Sequence, residues 1–292
     1  MISGGQRLIT VRSLAETPTK IIYPAFRNAF LDYSEPIDIP HEQFKYMLER
    51  RGYKAELSFG AFIGETLVGF TLNGVAQWNK RLTAYDTGTG VIVGFRNQGI
   101  AKRIFNESIP MLREKNISQY LLEVIKTNTA AFNLYKNSGF RITREFNFYI
   151  APKQTLKFSK SAVPVHTIKV IDKPDWDQLG SFWDFYPSWQ NSIDALNRKK
   201  EHITILGIWL ENNLAGYGVV EKHSGDIPQL AIARVYRRKG MATALLKYMV
   251  SIVRASNISI INTKADYQPF IDFAASINLH PGAGQYEMVL DL

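Results

Sequence analysis

Arg96-Asn97-Gln98-Gly99-Ile100-Ala101 follows the β-branched run Val91-Ile92-Val93 and opens a stretch of helical periodicity, and its frame recurs at Arg237-Arg238-Lys239-Gly240-Met241-Ala242. A glycine in a strand-to-helix turn lets the backbone approach a ligand where a Cβ would block it. The orphan N–H groups of the new helix carry the positive end of its dipole. Such a turn suits phosphate oxygens. Two copies in one chain imply a duplicated phosphate-binding domain.

Outward from the first copy, a short strand (Leu8-Ile-Thr-Val11) precedes helical stretches at 19–31 and 41–51. Strands at 55–63 and 66–77 follow, joined by Gly64-Glu65, whose leading glycine suits a type II′ hairpin. A strand ending at Val91-Ile92-Val93 leads into the helix from Asn97, which carries Ile100, Ile104, Ser108 and Leu112 at helical spacing. Pro110 is expected to kink or shorten that helix. A strand at 119–124, a helix at 129–138 and a strand from Phe140 complete the half. The second half repeats the order, with strands at 166–170, 202–210, 214–221, 230–234, 259–263 and 285–292. Its helical stretches fall at 176–185, 192–200, from Arg238, and at 268–276. The expected division is a domain over 1–150, a linker over 151–164 with no clear period, and a domain over 165–292.

At 292 residues the chain is comfortable for two domains, and 46% hydrophobic with 21% charged residues describes a globular protein. The net charge of +9 fits an anionic partner, but Lys and Arg are scattered evenly, which argues against nucleic acid. No cysteine is present, so thiolate metal sites, disulfides and a cysteine nucleophile are excluded. Five histidines lack metal-ligand spacing, and no metal is expected. Residues 1–7 have no apolar signal core and no run is long enough for a membrane helix, so the expectation is a cytoplasmic protein without a membrane partner.

Four pieces stand in order in the first half: Val91-x-x-x-x-Arg96-x-x-Gly99-x-Ala101, Leu122-Glu123-Val124, Asn128-x-x-Ala131-x-x-x-Tyr135, and Gly139-Phe140. In these the half resembles the GCN5-related N-acetyltransferase family over residues ~7–150. The resemblance implies an α/β fold of that α+β type. Two tandem acyl-coenzyme A N-acyltransferase domains are expected, each a mixed central sheet with a bulged fourth strand flanked by helices. The bulge would splay the Val91–Val93 strand from its neighbour and open a groove for the pantetheine arm. The backbone N–H near Val93 would then polarise the thioester carbonyl as an oxyanion hole does. Val91, Val93, Arg96, Asn97, Gln98, Gly99, Ile100, Ala101 and Asn128 are the implied contacts for acetyl-coenzyme A.

Tyr135 occupies the position of the family's general acid, which delivers a proton to the departing sulfur. The alternative is a tyrosine packed beside Phe132 and Ala131. Glu123 interrupts an apolar strand, where a lone carboxylate either pairs with a cation or works. Its spacing to Tyr135 is similar to that in the ribosomal-protein N-terminal acetyltransferases, which implies a base. Asp86, in Ala84-Tyr-Asp-Thr-Gly-Thr-Gly90, is a rival base or a turn-forming residue.

The second half keeps the turn, but Asp266 answers Asn128, Pro269 answers Ala131 and Phe273 answers Tyr135. A phenylalanine donates no proton, so this half is expected to have lost its acid. Its aromatics, Trp176, Phe182, Trp183, Phe185, Tyr186 and Trp189, suit either an acceptor platform or a packed core. The expected activity is transfer of acetyl from acetyl-coenzyme A to a primary amine, of a small molecule or a peptide, by direct attack. A non-catalytic acyl-coenzyme A sensor or scaffold is the alternative.

Overall fold

The computed structural model describes residues 8–32, 38–158 and 163–292; the reading of residues 1–7 and part of the expected linker lie outside them. The chain forms two compact units. Unit 1 is Met1–Val124, Asn128–Thr143 and Glu287–Leu292; unit 2 is Ile125–Thr127 and Arg144–Tyr286.

Unit 1 runs β1 (Ile9–Ser13), α1 (Thr19–Ala29), α2 (His41–Arg50), β2 (Phe59–Ile63), β3 (Thr66–Trp78), β4 (Arg81–Val91), α3 (Ile100–Glu114), β5 (Gln119–Ile125) and α4 (Thr129–Asn137). β1 to β4 form an antiparallel meander, and β5 then joins β4 in parallel. Alternation along β3 assigns the two faces of the sheet. Phe70 and Leu72 point to α1 and α2, in a core with Ile22, Phe26, Phe30 and Phe44. Gly69 lies under Ile100 and Ile104 of α3, where a Cβ would stand 2.9 Å from Ile100. Phe105 of α3 continues that second layer against Tyr120, Tyr135 and Phe140. Gly64 has φ +57, as a type II′ turn requires. Pro110 lies inside α3, which continues to Glu114; the expected shortening does not occur.

Unit 2 begins with β6 (Arg141–Pro152), of which residues 144 onward belong to it, followed by β7 (Thr167–Val170), α5 (Trp176–Gly180) and α6 (Ile193–Arg198). β8 (Ile203–Leu210), β9 (Asn213–Glu221), β10 (Gln229–Ile232), α7 (Met241–Ile252), β11 (Asn257–Lys264) and α8 (Gln268–Ser276) complete it. β7 to β10 repeat the antiparallel meander, and β6 pairs antiparallel with β11.

The boundaries at 150 and 165 do not coincide with these units. The last strand, β12 (Gln285–Asp291), has residues 287 onward in unit 1. Leu292 N–H donates there to the Ser118 carbonyl, and Asp291 pairs with Arg81 and Arg141. Residues 151–158 of the expected linker are structured: β6 reaches Pro152, a 3-10 turn covers Lys153–Thr155, and Leu156 and Phe158 pack on the core of unit 2. Apolar burial holds them where composition suggested a tether. The helix expected over 176–185 stops at Gly180, and Trp189, a residue of the aromatic run, is buried.

Candidate active site

β4 carries a bulge. Leu72 faces Gly88 and Asn73 faces Asp86, so Thr87 is the extra residue. A bulge reverses which face the following side chains take. Asp86 and Thr89, three apart, therefore share the α3 face, and Thr89 Oγ1 lies 2.7 Å from Asp86 Oδ2. Pairing of β4 with β5 covers Thr83–Tyr85 against Gln119–Leu121 and stops there. Beyond it the parallel strands diverge and leave a wedge, as the family resemblance implies, with the bulge at Thr87 four residues before Val91.

The three candidate residues line this wedge from two sides. On the α3 face, the Tyr135 hydroxyl donates to Asp86 Oδ2 at 3.2 Å. Both residues are buried, and Asp86 stands inside β4, not in a turn as its neighbours suggested. Burial pushes the Asp86 carboxyl up to about 6, against the opposing pull of the Thr89 and Tyr135 hydroxyls, the Gly88 N–H and the Arg51 charge. On the opposite face, the Tyr85 hydroxyl donates to Glu123 Oε2 at 3.2 Å. Burial, reinforced by the Glu123 charge, pushes the Tyr85 phenol well up, so it remains a donor. Arg51 lies beyond α2 and donates to the Thr87 carbonyl at 2.9 Å, tying down the bulge.

The turn at 96–101 has a division of labour that its sequence conceals. Arg96 turns away from the helix end: Nε donates to the Val91 carbonyl, one terminal nitrogen donates to the Ala29 carbonyl, and the fork binds Asp32 through two contacts of 2.7 Å. Asp32 is held below the usual carboxylate range by this guanidinium. Asn128 caps α4, accepting from Ala131 N–H at 3.0 Å. Val93 N–H donates to Asn28 Oδ1 at 3.0 Å. Asn97 and Gly99 take φ of +61° and +72°, and the space around a Gly99 Cβ is open. Among the described residues, the N–H groups of 97–101 have no acceptor. Ile100 is buried under the sheet.

Unit 2 reproduces the turn atom for atom. Arg237 donates to the carbonyls of Ile232 and Phe182 and binds Asp184, while Arg238 and Gly240 take φ of +60° and +80°. Asp226 bridges Ser259 in parallel, as Tyr85 faces Leu121 in unit 1, after which β10 and β11 separate. Here the fourth strand, β10, pairs without a shift, and the register breaks in β11 between Ile260 and Thr263. A cavity of about 470 Å³ fills the separation, lined by Gln229, Ile232, Gly240, Ala242, Asn262 and Phe273 among others. Counting from the matched bridge and turn, Ile227 stands where Asp86 does, Ile261 where Glu123 does, and Phe273 where Tyr135 does. Trp176, Phe182 and Trp183 pack on a small core around Tyr217, and Phe182, Trp183 and Phe185 also line the cavity. The packed-core reading thus holds for Trp176, Phe182, Trp183 and Trp189.

Asn28, Asp32, Tyr85, Thr89 and Tyr120 were not legible as site residues. Each is tied to the site by a contact distant in sequence or by the bulge, and no local spacing marks it. Among the described residues there is no cluster that could hold a metal ion, and no helix is long and apolar enough to cross a membrane.

A family model described as Acetyltransferase (GNAT) family matches residues 22–140 and 167–276. The chain is similar to N-alpha-acetyltransferase 30 of Saccharomyces cerevisiae, at 34% identity over 73 residues. That match covers 25% of this chain, and the chain spans 42% of the relative's length. The fold is similar to a tandem GNAT protein from the clavulanic acid biosynthesis pathway, with TM-score 0.71 and 13% identity over 97% of this chain and 98% of that one. A putative acetyltransferase from Pyrococcus horikoshii has TM-score 0.69 and 16% identity, covering 100% of this chain and 92% of its own.

Proposed function

The chain belongs to the acetyltransferase (GNAT) family, and from that premise we propose that unit 1 transfers acetyl from acetyl-coenzyme A to a primary amine by direct attack. The observation that carries this reading is the wedge between β4 and β5, with the Tyr135 hydroxyl on one face and the Glu123 carboxylate on the other. The residues present fit the donor. The acceptor-free N–H groups of 97–101, beside the open space at Gly99, suit a pyrophosphate. Arg96 and Asn128 serve by holding the turn and α4, so the phosphate contacts come from backbone. Acetyl-coenzyme A supplies an activated acyl carbon as a thioester.

Glu123 takes the proton from the ammonium, because only the neutral amine attacks. Val93 N–H, released by Asn28, polarises the acyl carbonyl. Tyr135 donates its proton to the departing sulfur. The acceptor is a small-molecule or peptide amine, and the likeness to an N-alpha-acetyltransferase puts peptide α-amines first in the panel to be tested. The experiment is release of free coenzyme A from acetyl-coenzyme A across peptide N-termini, polyamines and aminoglycosides. Release that Tyr135→Phe lowers about 10²-fold is expected; silence across the panel overturns the reading.

A second reading has its own observation. The cavity in unit 2 keeps the phosphate turn but has apolar residues at all three chemical positions, which suits holding an acyl-coenzyme A without turnover. Binding of coenzyme A to the full chain without transfer to any amine favours that sensor role.

A further inference from the structure

A line of buried polar side chains runs through the α3 face of unit 1, and its direction can be followed from one end. Asn73 is fully buried, and its Nδ2 donates to the Leu57 carbonyl at 2.7 Å. Its Oδ1 is therefore the atom turned to Tyr120, and an amide oxygen only accepts. The Tyr120 hydroxyl, 2.6 Å away, donates to it. A phenol has one proton, so the 3.0 Å contact between Thr71 and Tyr120 takes its proton from Thr71. Thr71 in turn has none left for Thr89, so the 2.8 Å contact between them takes its proton from Thr89. One contact remains, the 2.7 Å between Thr89 and Asp86 Oδ2. Four contacts need four protons, and three hydroxyls supply three.

We infer that Asp86 supplies the fourth: it is held as a neutral carboxylic acid donating to Thr89, and it serves Tyr135 as an uncharged neighbour instead of acting as a base. The role toward Tyr135 rests on the acyl-transfer reading of unit 1; the protonation does not. Burial acts in the same direction, and a Thr89 proton committed to Thr71 removes one of the groups that would favour the charged form. Tyr120 from β5, Tyr85 from β4 and Tyr135 from α4 are neutral neighbours; Arg51, beyond α2, is the opposing charge.

The consequence concerns the proton on Tyr135. An ionised Asp86 would hold that proton in a charge-assisted bond and would face the phenolate with a like charge once it left. A neutral Asp86 does neither. As the amine nitrogen bonds to the acyl carbon, the C–S pair leaves with sulfur and sulfur takes the phenolic proton. The attacking nitrogen, left with a surplus proton once it is acylated, loses it through water to the Tyr135 phenolate, which restores the phenol. Asp86 acts through Tyr135 and is a positioning residue.

The test is isotope-edited infrared spectroscopy of protein labelled at the aspartate carboxyl carbon, with no substrate, taken as wild type minus Asp86→Asn from pH 5 to 9. A protonated-carboxyl band still present at pH 6, where a free aspartate is ionised, is expected. A band already replaced by carboxylate at pH 6 overturns the inference. Thr89→Val gives opposite signs for the two directions of the chain. Removing an acceptor from a protonated Asp86 shifts its titration to lower pH, whereas removing a donor to an ionised Asp86 shifts it higher, which would overturn the inference. Thr71→Val frees the Thr89 proton for Asp86 and shifts the titration lower; no shift would break the chain as drawn. If transfer is found, kcat falls on the alkaline side in wild type and Asp86→Asn loses that limb. These spectra need no turnover, so silence toward every amine would sink the acyl-transfer reading while leaving the proton assignment to be decided separately.

Discussion

Replacing Tyr135 with Phe removes one hydroxyl and leaves its ring in place, between Phe105 and Phe140, with both centroids 5.7 Å away. The fold loses the 3.2 Å hydrogen bond to Asp86, and a neutral bond of that kind contributes about 0.5–1.5 kcal/mol. For a domain of this size that lowers Tm by a few degrees, roughly 2–4 °C per kcal/mol. Catalysis loses more. A free tyrosine near pKa 10 and a thiol near 8.5 make the proton transfer uphill by about 2 kcal/mol, which limits the gain from full transfer. A positioned acid still contributes roughly 10²- to 10⁴-fold, and a thiolate, already a fair leaving group, belongs at the lower end. The expected loss in kcat is therefore about 10²-fold, or about 3 kcal/mol of barrier. KM for acetyl-coenzyme A should stay within a factor of about two, since the phosphate turn is untouched. The assay is thiol release followed with a thiol-reactive chromophore at saturating amine, beside a thermal melt. Donors with more acidic thiols should recover part of the loss. A kcat within threefold of wild type, or a loss accounted for by KM, would show that Tyr135 only packs.

Asp86→Asn should flatten a pH dependence of stability. Folding raises this carboxyl from 3.8 to about 6, so the folded chain binds the proton more tightly, and wild-type stability declines by about 3 kcal/mol relative to the variant as pH rises across that window; urea midpoints that run parallel from pH 4 to 7 would contradict this. Asn28→Ala removes the group that occupies Val93 N–H, so KM for acetyl-coenzyme A should fall severalfold in steady-state kinetics; a rise would instead make Asn28 a donor contact. Gly99→Ala forces an L side chain to φ +72° at a cost of about 1–2 kcal/mol, measurable as a lowered urea midpoint, although the site has room for the methyl. Phe273→Tyr added to Tyr135→Phe should restore no turnover, because Ile227 and Ile261 stand where Asp86 and Glu123 do; recovered thiol release would place a second active site in unit 2.

The order of elements was legible because each depends on local chemistry: the leading glycine of Gly64-Glu65, the apolar spacing from Ile100 to Leu112, the turn at 96–101. What was not legible depends on partners far away in the chain. Arg96 reads as a phosphate ligand until Asp32 and the Ala29 carbonyl are found in its fork. Asp86 reads as a turn residue because Asp and Gly cluster there, but Thr87 bulges and keeps the run inside β4. Thr87 has no side-chain property that announces a bulge. Nor does the periodicity of 285–292 say which sheet takes the strand; Arg81 and Arg141, by pairing with Asp291, show that it is unit 1's.

The two units separate what the turn needs in order to fold from what a reaction would need. Both take two left-handed residues in four, a conformation that is unfavourable at Asn97 and Arg238 and tolerated at Gly99 and Gly240. In both, an arginine offsets that cost by joining the strand end, the carbonyl of an earlier segment and an aspartate. The arginine and glycine of the motif are therefore accounted for by the backbone they hold, with or without catalysis. Asp86, Glu123 and Tyr135 have no such explanation. A buried carboxyl raised to about 6 destabilises the folded chain at neutral pH, and isoleucine in its place, as at Ile227, would remove that cost. Unit 2 has the apolar residue at all three positions and the same turn. Unit 1 keeps Asp86, with its cost, beside Tyr135 and Glu123 where β4 and β5 part, and that is the physical case for seeking the chemistry there.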